Sequence, residues 1–226
     1  MNTLQYFLRR IFVSIIVFFG VSIVIFCLAR LIPGDPARIA LGPFATDEMV
    51  EQLRETLHLH ESIFIQYGIF IEKLFQGDLG ISTYTKRPVL VDIVSYFPAT
   101  FELVLMSGLL MILIGMPLGI LSGKFKNSII DNVARLISLL GVVTPSFLWA
   151  IILMLIFAFW FPILPVSERM NEALDPPTLV TGLLLVDSLI EGNFKVFSDA
   201  FLHLILPGLA IALPAIGNVA RLTRTN

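Results

Sequence analysis

The chain has little cysteine, little charge and none of the local patterns of a hydrolytic site. Its one cysteine, Cys27, lies in an apolar run. That excludes an intrachain disulfide and a cysteine-held metal cluster, and Cys27 reads as a small buried hydrophobe. Charged residues make up 14% of the sequence, well below the roughly one quarter found in soluble domains. There is no H-E-x-x-H, no G-x-S-x-G and no pair of aspartates inside an apolar run, so the usual metal, serine and aspartyl routes of hydrolysis lack their residues. Gly119–Lys124 has part of a phosphate loop's pattern, but three residues separate its glycines, no Ser or Thr follows Lys124, and no strand precedes it. His58 and His60 stand at i and i+2 where a helix ends and so diverge, and His203 reads as an interface residue. The sequence therefore predicts no catalytic residue, no cofactor, no metal site and no nucleic-acid partner.

Apolar sequence is what the chain has. A hydrophobic fraction of 57% and a mean hydropathy of +0.90 predict an all-α, polytopic membrane helix bundle lying in a lipid bilayer. Uncharged runs at Ile11–Ala29, Leu103–Gly123, Leu136–Val166 and Ala200–Ala220 give four crossings, the third leaving the membrane beyond Phe161. The first is longer than a signal peptide's core of about 7–15 residues and reads as an uncleaved anchor. Arg30 at its far end lifts its guanidinium to the interface. Pro98 is expected to introduce the second crossing.

Between the first two crossings, residues 32–98 form a polar segment. Pro33, Gly34 and Pro36 break the chain on leaving the membrane. A helix capped by Thr46 follows, with an apolar stripe of Met49, Val50, Leu53 and Leu57. A second helix, from about Ser62 to Phe75, is too interrupted to span and reads as interfacial or as a cover for the bundle. Residues 162–199 form another polar segment, in which the apolar stretch from Pro176 to Val186 is too short to cross and Asp187 and Glu191 return the chain to water.

Charge gives the orientation. Residues 1–10, 124–135 and 221–226 hold seven Lys or Arg against one acid, Asp131, whereas 32–98 and 162–199 are rich in acids. Basic short segments stay in the cytoplasm, so both chain ends are predicted there and both acidic segments outside.

Inside the crossings, Gly115, Gly119 and Gly123 fall on one helix face and predict close approach of another helix, with Pro117 adding a kink. Thr144-Pro145-Ser146 has two readings, hydroxyls satisfying carbonyls freed by the proline or a polar patch lining a path. Pro207 and Pro214 remove two donors from the last crossing, which therefore needs neighbours. Trp160 belongs at the interface, and Trp149 packs deeper.

The order of several stretches is that of a known family. YFLRRIFVSIIVFFGVSIVIFCLARLIPGDPA at the start is followed by GDLGIS, PVLVDIVSYFPATFEL, GILSG, VTPSFLWAIILMLIF and HLILPGLAIALPAIGNVARLTRTN. In these the chain resembles the inner-membrane permease subunits of ATP-binding-cassette importers, in the dipeptide, oligopeptide and nickel branch. The resemblance implies the N-terminal part of a type I importer permease, with residues 1–98 as the first helix and its large extracytoplasmic segment and 99–226 as an incomplete permease core. It implies a second homologous permease subunit, two ATPase subunits that carry out ATP hydrolysis, and an extracytoplasmic solute-binding protein as partners. The setting would be a bacterial or archaeal inner membrane, and the cargo a peptide, nickel or another small solute. By position and polarity, Ser107, Thr144, Ser146 and Asn218 are placed on a translocation path with Glu102 at its mouth. The family's ATPase-docking loop and two further crossings do not follow Asn226, so the pattern is expected to be cut or split there. A membrane enzyme, for which no reactive constellation is present, and a pore that needs no ATPase are the rival classes.

Overall fold

The computed structural model describes residues 3–31, 35–82 and 84–225. Among them every regular element is a helix, and the strand-like pairing is confined to an isolated antiparallel bridge of Ile81 with Pro88. The chain divides into two compact units, residues 1–93 and 94–226.

The first unit begins with α1 (Thr3–Leu31), whose apolar side chains are exposed almost all round, as lipid contact requires. Among its described side chains Phe26 alone is buried, and it meets Tyr67 and Phe70 of α4 (Ile63–Phe75) at ring-centroid distances of 5.4 and 5.5 Å. A hydrogen bond of 2.8 Å between the Ser22 and Tyr67 hydroxyls completes that contact. Pro33 and Gly34 lie outside the described residues. Asp35 caps α2 (Pro36–Leu41) by accepting from the Ala37 amide at 3.1 Å, with Pro36 in the first turn where its missing N–H costs nothing. Thr46 does the same for α3 (Asp47–Thr56).

The boundary between the units falls inside α5 (Val89–Lys124), so the second crossing starts well before Pro98 and carries both Pro98 and Pro117 in its interior. The expectation that Pro98 introduces the helix is therefore corrected. A proline removes one ladder bond, and a long helix that is well formed on both sides absorbs that loss.

A larger departure concerns the third crossing. It begins earlier than expected, as α6 (Ile129–Val143), and breaks by 112° before α7 (Ser146–Met154), which runs into a π-helical turn at Leu155–Trp160. Pro145 explains the break. It drives Thr144 out of helical geometry (φ −86°, ψ 126°) and offers no N–H to continue the ladder.

Both halves of this bent pair pack against the last helix, α9 (Phe194–Thr225). Asp131 of α6 meets Arg224, Gly141 meets Leu213, and Leu153 of α7 meets Leu206 and Ala210. Beyond the π turn, the Asn171 amide bonds Asp199. Contacts of α6 and α7 thus run down α9 from residue 224 to 206, about 27 Å at 1.5 Å per residue. With α1, α5 and α9 the described residues thus hold three helices long and apolar enough to cross a membrane, and four crossings if the bent pair is one span.

Helix backbones approach closely where glycines sit. A Cβ on Gly119 would stand 2.6 Å from Cβ of Thr223 and 2.7 Å from the Ala220 carbonyl oxygen; on Gly115 it would meet Val219 at 3.1 Å, and on Gly123 the Arg224 backbone at 3.5 Å. The α6–α9 pair is tighter still and reciprocal. A Cβ on Gly141 would lie 2.6 Å from the Leu213 carbonyl oxygen, and one on Gly217 would overlap the Ser138 carbonyl oxygen. These neighbours are backbone atoms of rigid helices, so no rotamer change makes room. Gly141→Val should therefore destabilise the bundle by about 1–3 kcal/mol or more, read as a lowered midpoint in detergent-solubilised protein. Gly20→Ala, with nothing within 4 Å of its Cβ, should leave the midpoint unchanged or slightly higher.

Candidate functional site

Polar chemistry in the second unit collects at three levels along α9. At the C-terminal level, the loop after α5 turns through Asn127 at φ 62° into Ser128, whose hydroxyl caps α6 by accepting from the Asp131 amide. Asp131 is fully buried in this first turn. Its Oδ1 accepts from Ser122 Oγ at 2.6 Å and Arg224 Nε at 2.7 Å, and its Oδ2 from Asn127 N at 2.9 Å, Arg135 Nη2 at 2.8 Å and Arg224 Nη2 at 3.0 Å. One carboxylate thus joins α5, the 124–128 turn, α6 and α9, with Arg224 held as a two-pronged fork. Beside it a cavity of about 380 Å³ opens between α6 and α9, walled by Ala134, Leu139, Val142 and Ala220 with Arg135 and Arg221 at its rim.

At mid-height lie the α6–α7 break and the prolines of α9. Thr144 is half-buried at the break, with its amide bonded to the Leu140 carbonyl, and Ser146 opens α7 exposed. Asn218 is exposed on α9, donating from Nδ2 to the Pro214 carbonyl at 3.2 Å and accepting from Arg221 at 3.2 Å. Ser107 is buried and spends its hydroxyl on the Leu103 carbonyl at 2.7 Å. Trp149 packs with Leu153, Leu206 and Ala210, while its Nε1 is buried without a partner.

At the N-terminal level of α9, Glu102 of α5 is buried and closes a clasp. Its Oε2 accepts from Arg169 Nη2 and its Oε1 from the Leu185 amide, both at 2.7 Å. Leu185 lies in α8 (Leu184–Glu191), which Gly192 ends in a left-handed turn at φ 75°. Asp187, expected to return the chain to water, is instead buried within that helix. Its carboxylate gathers the amides of Val180, Thr181 and Gly182 and the Thr181 hydroxyl, folding the 178–183 loop back on itself. Burial acts to raise the Asp187 carboxyl, but the Thr181 hydroxyl and these amides outweigh it and hold it below the usual carboxylate range.

The sequence reading put Glu102, Ser107, Thr144, Ser146 and Asn218 into one set; the structure distributes them over these levels. Glu102 is engaged with Arg169, and Thr144 and Ser146 share the break. It missed Asp131, Arg224 and Asp187 as structural charges. A signal for the first exists in Ser128-Ile129-Ile130-Asp131, a Ser-x-x-acid helix start. Among the described residues no cluster of His, Cys, Asp or Glu fits a metal ion.

Removing the Asp131 charge leaves two arginines facing a neutral, buried amide. Asp131→Asn should therefore lower the melting midpoint in detergent more than Arg135→Gln does, since the Arg135 side chain is half exposed and Arg224 remains to neutralise the carboxylate. Equal shifts would show that the buried fork contributes no more than a surface pair.

Comparison with known proteins adds to this geometry. Residues 3–104 match the family model described as the N-terminal part of binding-protein-dependent transport system membrane components. Residues 115–226 match that of the binding-protein-dependent transport system inner membrane component. The chain is 42% identical, over 96% of its length, to a probable D,D-dipeptide transport system permease protein DdpB of Escherichia coli (strain K12). It is 38% identical, over 99% of its length, to a dipeptide transport system permease protein DppB of Alkalihalophilus pseudofirmus. It spans 64% of the first relative's length and 67% of the second's. The chain belongs to the family of binding-protein-dependent transport system inner membrane components.

Proposed function

We propose that this chain is a permease subunit that forms part of the translocation pathway of an ATP-driven importer for peptides. The observation that carries the reading is the similarity to two dipeptide transport system permeases along nearly the whole chain. The architecture supports it, since a helical bundle with a broken, proline-containing apolar segment is the kind of structure in which irregular backbone at membrane depth is tolerated beside a polar path.

The partners proposed are a second homologous permease subunit, two ATPase subunits and an extracytoplasmic solute-binding protein. The permease itself makes and breaks no covalent bond. It supplies a membrane core with two conformations, and nucleotide-dependent contacts on the ATPases bias which one is populated. Residues 1–98 are assigned to the first crossing and an extracytoplasmic segment, and 99–226 to the core. Ser107, Thr144, Ser146 and Asn218 are proposed to face the path at some stage of the cycle, with Glu102 at its outer mouth. Gly115, Gly119 and Gly123 serve helix packing. Chain ends in the cytoplasm follow from the bias of seven basic residues against one acid in the short segments.

Orientation is tested with single cysteines in a Cys27→Ser background. Glu61→Cys and Glu172→Cys should react with an impermeant thiol reagent added outside, and Lys126→Cys should react only after permeabilisation; the reverse pattern overturns the topology. Function is tested by accumulation of labelled dipeptide in the source cells. Deleting the gene should reduce accumulation at least tenfold, with restoration from a plasmid copy, and undiminished accumulation in the deletion strain would remove the peptide reading.

A further inference from the structure

Helix α4 carries two apolar faces, and α1 packs against one of them. That face holds Tyr67 and Phe70, whose rings lie 5.4 and 5.5 Å from Phe26, with the Tyr67 hydroxyl 2.8 Å from that of Ser22. The other is a stripe of Phe64, Gly68, Ile71 and Phe75, spaced i, i+4, i+7 and i+11. Its terminal rings have almost no cover, Phe64 being 84% and Phe75 81% exposed. Polar residues keep off this stripe. Gln66 and Lys73 fall on the opposite side of the helix, where Gln66 gives its Nε2 to the carbonyls of Leu59 and Glu61 in the preceding loop, and Glu72 stands at the stripe's margin.

The level at which α4 meets α1 selects what covers the stripe. Arg30 occupies the last turn of α1. Phe26 and Ser22 precede it by four and eight residues, about 6 and 12 Å at 1.5 Å per residue. Both belong to the uncharged run from Ile11 to Ala29, whose side chains are open to lipid on nearly every side. Helix α4 thus crosses α1 inward of the charge that marks the interface, at the depth of about 5–10 Å where amphipathic helices lie in the plane of a bilayer. Tyr67 stands three residues from Phe64 and four from Ile71, so the stripe adjoins the side that touches α1 and continues the lipid-facing surface of that helix.

We propose that α4 is an in-plane membrane anchor, its Phe64–Phe75 stripe inserted among the acyl chains of the leaflet in which α1 ends. The two phenylalanines then leave water, Gln66 and Lys73 face it, and the Ser22–Tyr67 hydrogen bond lies in a medium that does not compete for it. An anchor at this place limits how far the loop between α1 and α4 can lift from the bilayer.

The test uses the full chain in a Cys27→Ser background, reconstituted in phospholipid vesicles, with a nitroxide spin label on single cysteines. Phe64→Cys and Phe75→Cys replace exposed side chains, so neither change empties a packed site. Phe18→Cys on the lipid-facing surface of α1 and Glu61→Cys in the loop before α4 supply the two reference environments. Oxygen concentrates in hydrocarbon, whereas a water-soluble nickel chelate is costly to desolvate and stays out of it. The ratio of oxygen to chelate collisions at Phe64 and Phe75 should approach that at Phe18 and exceed that at Glu61 by roughly threefold or more. Lys73→Cys, on the opposite face, should favour the chelate. A ratio at Phe64 and Phe75 equal to that at Glu61 puts the stripe in water and overturns the proposal. Low collision rates with both reagents mean that a second copy or another subunit covers the stripe, and they overturn it equally.

Discussion

A carboxylate taken out of water must be matched where it lies, and Asp131 is matched from four segments at once. The cost of desolvating it is met by the Arg224 fork, the Arg135 guanidinium, the Ser122 hydroxyl and the Asn127 amide. That requirement fixes positions. Ser122 sets the end of α5, Asn127 the turn, and Arg224 the register of α9 against α6. In a membrane bundle, where most apolar side chains face lipid and gain little from helix association, such a specific polar tie sets geometry that hydrophobic burial leaves open. The glycine contacts then follow from it, because once α6 and α9 are pinned at one end, Gly141 and Gly217 are the residues at which their backbones meet.

The opposite end of the same unit repeats the principle with different parts. Glu102 binds Arg169 and the first turn of α8, and Asp187 folds the loop that precedes that helix. Each is a single acid that satisfies several donors of an otherwise irregular segment. The second unit is therefore tied by charge at both ends and by small residues in between, with a middle level that carries hydroxyls, an amide and prolines but, among the described residues, no ion pair.

Helix existence and membrane residence were legible in the sequence because both depend on local composition, so the four apolar runs, the Thr46 cap and the short helix ending at Phe75 all have counterparts. Boundaries were less so. Charge-free length marks where a helix meets hydrocarbon, whereas hydrogen bonding carries α5 back to Val89 and α6 back to Ile129 through polar residues. The 112° break was half legible: Pro145 was seen, but whether a proline bends a helix or ends it depends on what packs on either side. Pro98, Pro117, Pro207 and Pro214 all stay inside helices, and sequence alone does not separate them from Pro145. Asp131 and Asp187 looked like solvated acids because their partners lie on other elements, Arg224 being 93 residues away. Among the polar residues chosen for a path, Glu102 was visible as an acid beside an apolar run, but its partner Arg169, 67 residues on, was not.

The break between α6 and α7 has an electrostatic consequence. A helix ends there with carbonyls unpaired along its axis and another begins with amides unpaired and no side-chain cap, each terminus equivalent to about half an elementary charge. Two fixed partial charges of opposite sign thus stand at one depth, in a stretch from Leu136 to Val166 that contains no ionisable side chain. Within this stretch the fixed field comes from backbone dipoles and uncharged side chains, none of which gains or loses a proton in the physiological range.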